Sequence, residues 1–181
     1  MLQEEMQLSK SKIWEMQKKY YQDMGIEAWL GAVTFFVTSN NFFVNQLAFL
    51  VCNFLLEAEQ KGQIDSKEPV YIVELGTGSG KFSFSFTSLL LHKLEKVNSK
   101  IKIKYIMTDC CPKNIEFWSK QQQIQELVKQ DHIDFAFFDA DKPENLTLQY
   151  SKKILSPQTI ENPLIAICNY LFDSIVNDLF K

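Results

Sequence analysis

The chain has no arginine: all nineteen of its basic residues are lysine. Any anion it binds must be held by lysine or by backbone amides, without the bidentate guanidinium fork. Histidine is nearly as scarce, with only His92 and His132, and none of the four cysteines (Cys52, Cys110, Cys111, Cys168) forms a Cys-x-x-Cys. No metal-ligand spacing results, so no metal is expected. Cys110 and Cys111 are adjacent and poorly placed to pair, so all four thiols are expected reduced, in a cytoplasmic setting. The opening MLQEEMQLSK lacks the basic-then-apolar build of a secretory signal, which also sets aside the sequon at Asn145-Leu146-Thr147. The longest apolar run, Phe42 to Leu56, is fifteen residues broken by Asn45, Gln46 and Asn53. A bilayer span takes about 20 apolar residues, so a buried helix is expected there. The net charge of −3 gives no global attraction to nucleic acid or to an anionic membrane.

What is present suits one α/β domain of 181 residues. Residues 9–24 read as an amphipathic helix capped by Ser9 or Ser11 and stopped by Gly25. A short piece follows at Ile26–Leu30, then an extended or irregular stretch, AVTFFVT. The apolar helix, capped by Ser39 or Asn40, runs to about Gly62. Beyond the polar loop QIDSKEP the pattern alternates. Strands are expected at Val70–Leu75, Ile101–Asp109, Ile133–Asp141 and Leu164–Asn169. Helices are expected at Phe82–Val97, Lys113–Val128 and Leu146–Ile154, with a last helical segment after Asn169. Strand-helix alternation of this kind builds a parallel sheet flanked by helices. The expected organisation is a helical cap over residues 1–66 and a Rossmann-like sheet domain over residues 67–181.

Glycine is also scarce, yet three of the six fall within five positions, in Glu74-Leu75-Gly76-Thr77-Gly78-Ser79-Gly80, directly behind the first strand. Open α/β sheets bind ligands at that carboxyl edge. A Walker A loop needs four residues between its glycine and Gly-Lys, then Ser or Thr; here there are three, and Lys81 precedes Phe82. The dinucleotide pattern G-x-G-x-x-G would need its third glycine at position 81. The pattern acid-x-Gly-x-Gly-x-Gly fits throughout. In it this sequence resembles the class I S-adenosylmethionine-dependent methyltransferases, whose glycine loop passes under the amino-acid end of the cofactor.

That resemblance implies S-adenosyl-L-methionine as cofactor. Glu74 would help position its methionine end, over a loop of Gly76, Thr77, Gly78 and Gly80. Asp109, closing the second strand, would accept from ribose hydroxyls, or serve as a cap for the helix that follows. Cys110 would lie on the adenine face. Asp139, with Asp141 as the alternative, and the backbone at Ala140 would read the adenine amino group. Asn169 and Tyr170, closing the fourth strand, would face the transferred methyl as weak catalytic candidates, or simply brace the structure. Over nearly the whole chain, stretches such as IWEMQKKYYQDMGIEAW, YIVELGTGSGKFSF and NPLIAICNYLFDSI resemble a methyltransferase-like group. Its members are distantly similar to the complex I assembly arginine methyltransferases. The full class I sheet has seven strands in the order 3-2-1-4-5-7-6, of which four are countable here. The fourth strand is therefore expected as an exposed edge, to be paired by self-association or a partner chain, completed by further sequence, or covered by the N-terminal helices. Three functions follow as expectations: methyl transfer to a protein or small molecule, a non-catalytic cofactor-binding or interaction module, or an NAD(P)-binding oxidoreductase half.

Overall fold

A computed structural model of the chain describes residues 4–31, 37 and 39–178. The expected irregular stretch at 32–38 falls, apart from Val37, outside these residues. Four parallel strands form the main sheet: β1 (Val70–Leu75), β2 (Ile103–Asp109), β3 (Ile133–Phe137) and β6 (Ile165–Ile167), in the spatial order β3-β2-β1-β6. The register runs Val70 opposite Ile103 through Leu75 opposite Thr108, and Tyr105 opposite Ile133 through Asp109 opposite Phe137. Strand β6 pairs Ile72–Glu74 with Ile165–Ile167 and forms one edge. The fold is a Rossmann-like α/β sheet with flanking helices, as expected from the alternating pattern.

Strand parity sorts the core. Val70, Ile72, Ile103, Tyr105, Met107, Ile133 and Phe135 face one side, against α3 (Asn41–Gln60) and α4 (Lys81–Lys96). Tyr71, Val73, Ile106 and Ala136 face the other, where Leu148 and Leu155 cover them. Helix α4 buries Phe82, Phe86, Leu90 and Leu94, one residue every turn. Helix α3 is capped by Asn40, whose side chain accepts from the Phe43 N–H, and buries Val44, Ala48, Val51, Cys52, Leu55 and Ala58. The expectation of a buried helix holds for that stripe only, because Phe42 (75 % exposed), Leu50 (64 %) and Phe49 (56 %) point outward. At 20 residues it is also longer than its apolar run, and by length and composition alone could cross a membrane.

Three expected helices are corrected. Lys113–Val128 is two helices, α5 (Pro112–Ser119) and α6 (Gln122–Lys129). Buried Trp118 and Ile124 would lie about 120° apart around one continuous helix, and the break at Lys120–Gln121 turns both to the core. Leu146–Ile154 is not helical: β4 (Leu146–Thr147) and β5 (Ile154–Leu155) form a small antiparallel pair. Its N–H groups are claimed from outside, since the buried Asp134 carboxylate accepts from Tyr150 N and Ser151 N (both 2.9 Å) and the Phe135 carbonyl from Gln149 N (2.8 Å). After Asn169 the chain makes turns in place of a helix. Tyr170 takes φ +52°, and the residues beyond engage the N-terminal segment. The Asp178 carboxylate accepts from Ser9 N (2.7 Å) and Gln7 Nε2 (2.6 Å), and Gln17 Nε2 donates to Ser174 Oγ at 3.4 Å. The N-terminal helices α1 (Ile13–Met24) and α2 (Ala28–Gly31) thus lie across the carboxyl ends of the strands.

Candidate functional site

The loop Gly76–Gly80 joins β1 to α4 and is held by its own neighbours. Thr77 N donates to Thr108 O (2.8 Å), Gly78 N to Asp109 Oδ2 (3.0 Å), Gly80 N to Thr77 O (3.4 Å) and Lys81 N to Ser79 Oγ (3.4 Å). Trp118 Nε1 donates to Gly78 O at 2.9 Å. Gly78 takes φ +59°, and a Cβ there would sit 2.4 Å from Trp29 Cζ2, so this glycine is gripped between two indoles.

Above the loop lies a cavity of about 400 Å³, the size of a small-ligand site. Glu74, Gly76, Thr77, Asp109, Cys110, Asp139, Ala140, Asn169 and Tyr170 all line it, so the strand ends bring nearly every expected site residue to one place. Gly78 and Gly80 lie in the supporting loop. The Glu74 carboxylate is 3 % exposed and accepts from Ser83 Oγ and from Thr77 Oγ1 (3.1 Å). Burial pushes its pKa up to about 7, against the pull of those hydroxyls. Asp109 is 7 % exposed and accepts from Gly78 N, from Cys111 N (2.8 Å) and from Asn114 Nδ2 (3.1 Å). It therefore anchors the glycine loop and the turn into α5 while still reaching the cavity wall; it is not the helix cap, since α5 has Cys111 at its N-cap and no side-chain cap bond. Burial raises its pKa despite those donors. The Cys110 thiol is pushed up to about 11, first by burial and then by Asp109, and stays protonated at neutral pH.

Lys18 on α1 spans the mouth, donating to Asp139 Oδ2 (2.7 Å), Asp139 Oδ1 (2.9 Å) and Asp141 Oδ2 (3.0 Å). Burial works to raise the Asp139 pKa, but the Lys18 bond overrides it and holds the carboxyl below its ordinary value. Trp14, Gln17, Lys18 and Tyr21 form one face of α1, at i, i+3, i+4 and i+7, and all four line the cavity. The amphipathic pattern of residues 9–24 gives no site residue by itself; the helical spacing of Trp14, Gln17, Lys18 and Tyr21 is the signal in the sequence that this face closes a site. Among the described residues five carboxylates, Glu74, Asp109, Asp139, Asp141 and Asp173, line the cavity against one lysine, and three buried polar atoms of the lining residues have no partner: Trp29 Nε1, Asn169 Nδ2 and Asn114 Oδ1. Tyr170 holds a left-handed backbone at the rim, the kind of strain that gathers at functional sites.

No protein-family model and no curated protein matches the chain.

Proposed function

We propose that the chain binds S-adenosylmethionine in this cavity and is a methyltransferase acting on a protein or small-molecule acceptor. One observation carries the proposal: the glycine loop spends four N–H groups, of Thr77, Gly78, Gly80 and Lys81, inside the chain, while the charged residues lining the cavity are five carboxylates and, among the described residues, one lysine. A dinucleotide needs free loop amides for its pyrophosphate and suffers repulsion from carboxylates. A nucleoside carrying a sulfonium and an ammonium brings positive charge instead. The unpartnered atoms of Trp29, Asn169 and Asn114 are donors and an acceptor for a polar ligand, and the volume suits a nucleoside. S-adenosylmethionine, when bound, supplies an activated methyl group. The chain's part is positioning: Asp109 and Glu74 set the loop and the local charge, and the cap helices exclude water. Asn169 and Tyr170 border the place an acceptor would approach.

Isothermal titration with S-adenosylhomocysteine tests this. Saturable micromolar binding that disappears in Asp109→Ala, with none for NADH, is the expected result; NADH binding without S-adenosylhomocysteine binding overturns it. The exposed edge of β6, where Leu164 is 51 % exposed, favours a second reading as an interaction module completed by another strand. Methyl transfer to any acceptor pool excludes a purely non-catalytic role.

A further inference from the structure

Trp29 is unusual among the three tryptophans. Trp14 Nε1 donates to Leu8 O (2.7 Å) and Trp118 Nε1 to Gly78 O (2.9 Å), whereas Trp29 Nε1 is buried with no partner among the described residues. Leaving a buried donor unmade is costly, and such atoms in native structures ask for an explanation. The position of this one supplies it. The ring atoms nearest the Gly78 Cβ position are Cζ2 and Cε2, at 2.4 and 2.7 Å, and Nε1 is bonded to Cε2. The orphan N–H therefore lies beside the glycine loop, on a residue that lines the cavity. Tyr21 stacks on the same indole, with centroids 6.1 Å apart and planes 29° from parallel, which fixes the ring.

Carboxylates line the cavity at each strand end: Asp139 and Asp141, bridged by Lys18, beyond β3, Asp109 at β2, Glu74 at β1, and Asp173 beyond β6. Among the described residues the unpartnered buried donors of that lining are Trp29 Nε1, beside the loop that follows β1, and Asn169 Nδ2, just beyond β6. An anionic group of a ligand needs donors in such a wall, and these two are there to meet it.

Resting on the methyl-transfer reading, we propose that Trp29 is a specificity-determining residue of the site: its indole N–H donates to the carboxylate of the cofactor's amino-acid end. The N-terminal cap is then part of the binding site as well as its cover.

The test compares two ligands, S-adenosylhomocysteine and 5′-methylthioadenosine, which lacks the amino acid. Each is titrated into the wild-type chain and into Trp29→Phe, which keeps an aromatic ring but has no N–H. A hydrogen bond to a charged group predicts about a tenfold weaker Kd for S-adenosylhomocysteine in Trp29→Phe and an unchanged Kd for 5′-methylthioadenosine. Equal loss for both ligands, or loss for neither, overturns the role given to the N–H. Should Trp29→Phe fail to fold, the wild-type chain decides through its indole ¹⁵N–¹H resonances. The Trp29 signal must move downfield with S-adenosylhomocysteine and stay in place with 5′-methylthioadenosine. A signal indifferent to S-adenosylhomocysteine, or one moved alike by both ligands, overturns the inference. A wild-type chain that binds neither ligand removes the methyl-transfer reading and this inference together, whereas binding without discrimination removes the inference alone.

Discussion

Replacing Gly78 by alanine asks the structure for two separate costs. The backbone there has φ +59°, where a Cβ is disfavoured by about 1 kcal/mol. The new methyl would also lie 2.4, 2.7 and 2.9 Å from three atoms of the Trp29 ring, well inside ordinary van der Waals contact. The indole is pinned by Tyr21 and must retreat, and overpacking of this kind costs about 1–3 kcal/mol. The expected total is about 3 kcal/mol. Gly62 provides the control, because it holds φ +66° with nothing within 4 Å of its Cβ position. Gly62→Ala therefore carries the backbone cost alone, about 1 kcal/mol. Urea unfolding of both variants, each in the wild-type and in a Trp29→Ala background, separates the terms. Without the indole, Gly78→Ala should fall to the Gly62→Ala value, a coupling of about 2 kcal/mol. A coupling under about 0.5 kcal/mol would refute the packing of Trp29 on the loop.

Three other outcomes are expected. Glu74 has a folded pKa of about 7 against an ordinary 4.5, so the folded chain keeps a proton that the unfolded chain releases. Stability is therefore expected to fall as pH rises from 4.5 to 7, by up to about 3 kcal/mol, and Glu74→Gln should flatten that slope in unfolding measured across the range. Asp134→Ala strips the acceptor from Tyr150 N and Ser151 N, and should cost about 3 kcal/mol and expose the 148–153 turn to limited proteolysis. Lys18→Met leaves Asp139 and Asp141 unpaired at a half-exposed site; thermal unfolding should show a loss below about 1 kcal/mol, with the Asp139 carboxyl titrating higher by NMR.

The parts of the fold that could be read from the sequence are those decided locally. Val70–Leu75 and the strand closing at Asp109 are short runs rich in β-branched and aromatic residues, as a buried parallel sheet requires, and the glycine loop follows from its spacing. The misread parts are those decided by distant partners. Leu146–Ile154 has a helical composition, yet Asp134 and Phe135 take its N–H groups. The break in Lys113–Val128 depends on where Trp118 and Ile124 must point, which only the sheet determines. At the site, strand-end residues such as Asp109 and Asp139 could be placed by topology. Trp29 could not: its role depends on a cap helix crossing to Gly78, and no local pattern records that approach.

The bond from Ser9 N to Asp178 spans 169 positions of the chain, and Gln17 meets Ser174 over 157. Closing such long loops is slow relative to forming the β1–α4–β2 neighbourhood, whose contacts are nearer in sequence. The β1–β2–β3 part of the sheet and the glycine loop can thus form early, but the cavity lacks its roof until residues 7–17 have met residues 174–178. Any ligand that needs the closed cavity would then report this long-range closure rather than the sheet's formation.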